Sequence, residues 1–330
     1  MKRIRVLAID GGGIRGVIPA VIIAAIEEQT GHPASKLFDL IAGTSTGGIL
    51  ALGLAKPGLD GRPSFAASDL VQLYERRGPE IFRRTFYRTV VGLGGLLRPR
   101  YSSDNLDGVL EEYFGDTRLS DALTELVIPS YDVEQRNPIF FTTYFAKNRP
   151  GFDHPMKEVA RATASAPTYF PAARRDLNGK YLALIDGGIF ANNPTLCAYG
   201  EAKRLWPNAA EEQFVFVSIG TGQHARPMFY DRVKNWGLLG WSTRILDVVL
   251  DSGSEAVHSQ ALYLLPTLVG PRTQSRRRYF RFQVNLEKEY RQMDNADSEN
   301  VKALRLAAER LVRDRRQDLL QLLELLSSDE

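Results

Sequence analysis

The run Phe38-Asp39-Leu40-Ile41-Ala42-Gly43-Thr44-Ser45-Thr46-Gly47-Gly48-Ile49-Leu50-Ala51-Leu52 constrains this chain more than any other stretch. Its first part is apolar and of strand length, its last part is apolar and of helical character, and a G-x-S-x-G turn from Gly43 to Gly47 joins them. A serine at such a junction sits on a sharp corner. Glycines flank it because a Cβ on either side would meet the neighbouring strand or helix. The hydroxyl is then held out at the end of a sheet, and the N–H groups opening the helix favour negative charge at the same point. Two uses fit the turn: a nucleophilic Ser45, or a small-residue turn in which Thr44 or Ser45 caps the helix.

The same order of strand, glycines and helix recurs. Arg5 to Ile9 reads as a strand ending in Asp10-Gly11-Gly12-Gly13-Ile14-Arg15-Gly16, followed by a helix from Val17 to Gln29 that closes at Thr30-Gly31. Gly11-x-Gly13-x-x-Gly16 matches a dinucleotide cradle, but the acid expected about twenty residues on has only Asp39 as a candidate, at the start of its strand. The other use of consecutive glycine N–H groups is an anion nest for an oxyanion, with Arg15 adding positive charge beside it. Tyr181 to Ile185 reads as a strand ending in Asp186-Gly187-Gly188, then Ala191-Asn192-Asn193-Pro194 and a helix through Lys203; Gln213 to Ile219 ends in Gly220-Thr221-Gly222. Such alternation predicts an α/β fold with a largely parallel sheet whose site lies at the carboxyl ends of its strands, where Ser45, the glycine loop and Asp186 would meet.

The remaining periodicity predicts helices over Ala67 to Arg77 (capped by Ser68), Ser103 to Tyr113, Pro155 to Ala164 and Thr243 to Leu264. Glu125 to Val133 and Pro138 to Phe145 read as strands, and Tyr279 to Leu286 as an antiparallel or edge strand. Ser298 to Leu326 carries one helical pattern that packs on the domain or pairs with a second copy, which would make a homo-oligomer. Phe82 to Tyr101 mixes aromatic and aliphatic residues with Arg83, Arg84, Arg88, Arg98 and Arg100, the composition of a solvated insertion or of a flap that touches a membrane. Arg276-Arg277-Arg278 reads as a solvated edge guard or an anion and lipid head-group site.

A net charge of +3 over 330 residues leaves no footprint for nucleic acid. Cys197 alone provides neither a disulfide framework nor a cysteine cluster for zinc, and no other residue spacing predicts a metal or a cofactor. The apolar run after Lys2, Arg3 and Arg5 is too short for a signal peptide. The longest apolar run, Val17 to Ile26, contains Pro19 and is about half of what a bilayer span requires. The expectation is a soluble, cytoplasmic protein.

A serine nucleophile needs a base. Of His32, His154, His224 and His258, only the last two follow Asp186 in the hydrolase order, and neither stands in a convincing setting. An aspartate can itself take the serine proton where burial raises its basicity, so Asp186 is the alternative.

Three motifs in order, Asp10-Gly11-Gly12-Gly13-Ile14-Arg15-Gly16, Gly43-Thr44-Ser45-Thr46-Gly47 and Asp186-Gly187-Gly188, make the sequence resemble the patatin-like phospholipase family. The resemblance covers roughly residues 5 to 222 and includes Ser165-Ala166-Pro167 and Asn192-Asn193-Pro194; Gly188 stands where many members carry alanine. It implies a three-layer α/β sandwich and a catalytic domain over 5–222; residues 223–330 would then form a C-terminal extension packed on the same domain and ending in a long amphipathic helix. It implies a Ser45–Asp186 dyad without histidine, an oxyanion hole from Gly11, Gly12 and Gly13 beside Arg15, and Gly16, Gly43, Gly47, Gly187 and Gly188 as motif glycines. The implied reaction is hydrolysis of fatty-acyl esters of phospholipids or related lipids, of phospholipase A or lysophospholipase type, through an acyl-serine and with no metal. The protein would be peripheral at membranes while acting. A bacterial subclass, the effectors switched on by cyclic nucleotides, makes such a nucleotide a candidate activator. The competing readings are a non-catalytic lipid- or nucleotide-binding module on the same fold, and an acyl transferase.

Overall fold

Strand β1 (Ile4–Ile9) is apolar on both faces, and both are covered: Ile4 and Val6 enter one layer of core, Leu7 and Ile9 the other. Double burial of this kind belongs to the interior of a parallel sheet. The computed structural model describes residues 3–83, 98–177, 180–224, 228–242, 244–265 and 278–327.

After β1 the chain forms α1 (Val17–Thr30), β2 (Leu40–Gly43), α2 (Thr46–Ala55), α3 (Ala67–Ile81), α4 (Ser103–Phe114), β3 (Glu125–Asp132) and β4 (Asn137–Thr142). It continues through α5 (Thr143–Asn148), α6 (Met156–Thr163), β5 (Ala173–Leu177), β6 (Lys180–Asp186), α7 (Thr195–Leu205), β7 (Phe214–Ile219) and β8 (Gln223–His224). Last come α8 (Ile245–Leu264), β9 (Tyr279–Phe282), β10 (Asn285–Leu286), α9 (Ser298–Asp314) and α10 (Arg316–Ser327). The sheet interior is parallel: β1 pairs with β2 and β7, β2 with β3, and β7 with β9. Side chains from α1, α2, α3, α4, α6, α9 and α10 cover one face. Ala198 and Ala202 of α7 and Ala261 of α8 pack on the other, which completes a three-layer α/β sandwich with a mostly parallel sheet.

One departure from parallel order brings the site together. β4 pairs antiparallel with β3 from Val127 to Asp132 and occupies that edge. The other edge of β3 is shared by two strands. β2 takes its first half, Ala42 opposite Val127, and β6 takes its second half from the opposite direction, Asp186 opposite Ser130. β2 and β6 therefore abut head to head, their last β3-paired residues, Ala42 and Asp186, separated by the span of Ile128 and Pro129. The expected strand before Asp186 exists and ends on the expected edge, but it is antiparallel to β3, and β5 pairs antiparallel beside it.

Other expectations need correction. α3 is capped by Asp69 and not Ser68, because the Asp69 carboxylate accepts the Ala66 N–H at 2.9 Å. The strand expected through Phe145 stops at Thr142, whose hydroxyl accepts the Phe145 N–H and starts α5. β9 lies at the sheet edge, as read, but runs parallel to β7. The long helical pattern is two helices, α9 and α10, divided at Arg315. Their apolar positions Val301, Leu304, Leu319 and Leu322 are buried in the same core as α1. Residues 84–97 of the arginine-rich segment, Arg276 and Arg277 lie outside the described residues. No helix among the described residues is long and apolar enough to cross a membrane.

Candidate active site

Ser45 joins β2 to α2 with φ 55° and ψ −122°, a left-handed conformation that few non-glycine residues adopt. The flanking glycines make that corner sterically possible. A Cβ on Gly43 would lie 2.1 Å from the Gly47 carbonyl oxygen, and one on Gly47 would lie 2.3 Å from the Ile9 carbonyl oxygen. Both contacts are with backbone that cannot swing aside. The Ser45 N–H donates to the Thr163 hydroxyl at 2.9 Å, and the Ser45 side chain makes no capping bond to its helix.

Asp186 ends β6 and is almost fully buried. Its Oδ1 accepts the Gly188 N–H at 2.7 Å, and the carboxylate shares one cavity with Ser45. Burial pushes its pKa up to about 6, with the nearby Ser45 hydroxyl and the Gly188 N–H pulling the other way. Gly187 lets β6 close on β3, since a Cβ there would lie 2.5 Å from the Pro129 carbonyl oxygen.

The glycine loop lies beside this pair. The Gly11 N–H donates to the Asn192 carbonyl at 3.0 Å and the Ile14 N–H to the Met293 carbonyl at 2.9 Å. Among the described residues, the N–H groups of Gly12 and Gly13 have no protein acceptor, and both glycines line the cavity that holds Ser45. Gly11 brings its backbone against the Ser45 side chain, where a Cβ would lie 3.2 Å from the Ser45 Cβ and 2.5 Å from the Asn192 side-chain oxygen. Gly16 allows α1 to start beside Thr46 and Tyr74. Arg15 does not line the Ser45 cavity. Its Nε donates to the Gly12 carbonyl at 3.3 Å, and the side chain lines an adjoining polar cavity with Asp10, Asp251 and Glu255. Burial lowers its pKa, and the charges of Asp251 and Asp247 oppose that. Arg15 thus braces the loop from behind.

Ser45 and Asp186 line the same cavity. Its wall is apolar, with Ile49, Leu73, Phe82, Phe170, Leu246 and Leu250 facing Ser45 and Asp186. No histidine among the described side chains lines it. His154 stacks edge-on against Phe141, and His258 bonds to the Tyr279 hydroxyl at 3.0 Å. The His224 side chain lies outside the described residues, and His32 is exposed. Sequence reasoning did not single out Thr163, Met293 or Leu246, which reach the site from distant segments and carry no local motif.

A match to the family described as patatin-like phospholipase spans residues 7–199. Patatin-like protein 1 of Oryza sativa subsp. indica is 36% identical over an alignment covering 95% of this chain and 82% of that protein. Patatin-like protein 2 of Arabidopsis thaliana is 37% identical, covering 79% of this chain and 74% of that protein. The crystal structure of VipD from Legionella pneumophila aligns with 95% of this chain and 67% of that chain at 12% identity and a TM-score of 0.38. The chain belongs to the patatin-like phospholipase family, and membership supports a lipid hydrolase.

Proposed function

We propose that the protein is a lipid acyl hydrolase that cleaves fatty-acyl esters, of phospholipase A or lysophospholipase type, on a Ser45–Asp186 dyad. The observation that carries this reading is the placement of Ser45, on its strained corner, and the buried Asp186 carboxylate of raised basicity in the lining of one apolar cavity. The acyl chain lies along the apolar wall with its ester carbon at Ser45 Oγ. As Oγ attacks, its proton passes to the Asp186 carboxylate, and the Gly12 and Gly13 N–H groups stabilise the charge on the carbonyl oxygen. The tetrahedral intermediate collapses, the leaving alcohol takes the proton from Asp186, and an acyl-serine remains. Water then attacks the acyl carbon, gives its proton to Asp186, and the fatty acid leaves as Ser45 recovers that proton.

An aspartate suffices as base because its desolvation lifts it toward neutrality. The substrate would be met at a membrane surface. The test is a fluorophosphonate probe followed by peptide mass spectrometry: Ser45 should carry the label, and Asp186→Asn should slow labelling by orders of magnitude. Labelling at another serine, or none on folded protein, would return the fold to a non-catalytic binding module.

A further inference from the structure

The loop from Asp10 to Ile14 is fastened from outside the family match. Arg281, on β9, grips Asp10 with two parallel bonds, Nη1 to Oδ1 at 2.8 Å and Nη2 to Oδ2 at 2.6 Å. Both side chains are buried, at 5% and 2% exposure. Nη1 also donates to the Ser218 hydroxyl at 2.8 Å, which ties the same guanidinium to β7. Two bonds in one plane fix the rotation of the carboxylate as well as its position, and the residue after Asp10 opens the loop. Farther on, the Met293 carbonyl takes the Ile14 N–H. The loop is thus held at both ends by residues 281 and 293, and between these anchors the Thr221 hydroxyl donates to the Gly11 carbonyl at 2.6 Å.

A buried ion pair adds little net stability over a well-packed apolar replacement, because desolvation cancels most of the attraction. What the Arg281–Asp10 pair supplies is geometry. Oxyanion stabilisation depends on donors already in place when charge develops, with no reorganisation left to do. A loop of three glycines has little conformational preference of its own.

We propose that Arg281 is a positioning residue for the oxyanion loop, and that segment 279–293 is part of the catalytic apparatus, setting the Gly12 and Gly13 N–H groups toward Ser45. The proposal rests on the hydrolase reading above and extends its machinery past the residues that carry the motifs.

The test compares wild type, Arg281→Gln, Arg281→Lys and, as a fold control, Leu326→Ala, whose side chain is buried on the terminal helix α10. Melting temperature, kcat and KM on a short-chain p-nitrophenyl ester are measured with two ligands. One is an alkyl trifluoromethyl ketone, which forms a serine-bound oxyanion; the other is an alkyl ether of equal length with no carbonyl. Arg281→Gln should lower kcat and ketone affinity by a common factor of about 10 to 10³, up to the loss of one oxyanion donor, with KM and ether affinity unchanged. Arg281→Lys keeps the charge but not the fork, so it should fall between. Leu326→Ala should lose melting temperature and keep kcat.

Wild-type kcat in Arg281→Gln, or equal weakening of ketone and ether, overturns the positioning role. If Arg281→Gln does not fold, Arg281→Lys is judged by the same two criteria. A folded wild type that neither turns over the ester nor binds the ketone overturns the hydrolase reading, and this proposal with it.

Discussion

Thr163 holds the corner at Ser45 from below: its hydroxyl accepts the Ser45 N–H at 2.9 Å and donates to the Pro129 carbonyl at 2.6 Å. One side chain from the end of α6 thereby joins the β2–α2 turn to the part of β3 that separates β2 from β6. Thr163→Val keeps the shape and removes both bonds, leaving the buried Pro129 carbonyl unpaired at about 1–3 kcal/mol and the part-buried Ser45 N–H without its acceptor. The variant should lose melting temperature. It should also lose kcat on a soluble ester by at least about tenfold, because an unusual φ persists only while its surroundings enforce it. Thr163→Ser should restore both. Unchanged kcat in folded Thr163→Val would show that the glycines alone hold the corner.

Asp186 links activity and stability to pH in opposite directions. In the proposed mechanism Asp186 must be ionised to act as base, so kcat/KM should rise with pH through an inflection near its pKa of about 6. Because the folded pKa lies above the ordinary 3.8, the folded state holds the proton more tightly than the unfolded one. The associated stability is full below the ordinary value and is lost as pH rises through 6, on the order of 3 kcal/mol in all. Asp186→Asn removes the titration. It should be inactive, yet melt above wild type at pH 8, with the gap closing toward pH 4. A pH-independent difference between the two melting curves would contradict this.

Glycine substitutions should divide sharply by location. Gly47→Ala places a Cβ 2.3 Å from the Ile9 carbonyl oxygen, and overpacking of this kind costs about 1–3 kcal/mol or more. Loss of soluble protein or of several degrees in melting temperature is expected. Gly108 lies inside α4 with open space around it. Gly108→Ala should therefore stabilise by about 0.5–1 kcal/mol through helix propensity. Thermal melts of the two variants side by side would check both signs.

If Asp186 is the base, the histidines are dispensable to chemistry. His154→Ala and His258→Ala should keep kcat near wild type, with some loss of melting temperature because each ring is packed against Phe141 or Tyr279. Loss of several orders of magnitude in kcat on either replacement, with the fold intact by circular dichroism, would put a histidine back in the reaction.

Much of the scaffold was legible because it is written in short-range rules. Alternating strands and helices read correctly for β1, α1, β2, α2 and β7, and the three strands and α1 meet a glycine within two residues of their ends. The motif glycines were legible too, since Gly43 and Gly47 are required by backbone within a few residues of themselves or on the adjacent strand. Where the local rules offered two readings, neighbours decided. Asp69 displaced Ser68 as a cap because its carboxylate reaches the Ala66 N–H, and the pattern from Ser298 divided at Arg315 because two shorter helices both fit the core around α1.

By itself, then, the sequence determined the corner at Ser45, the glycine loop and the carboxylate of Asp186, because each depends on residue types that a tight turn, a close approach or a strand end demands locally. Only the tertiary structure decided how they meet. The head-to-head arrangement of β2 and β6 along β3, the Thr163 bridge and the Arg281 grip on Asp10 join residues as many as 271 positions apart. Such contacts depend on strand direction, register and burial, which are properties of the packed chain and leave no periodic trace in any single stretch of it.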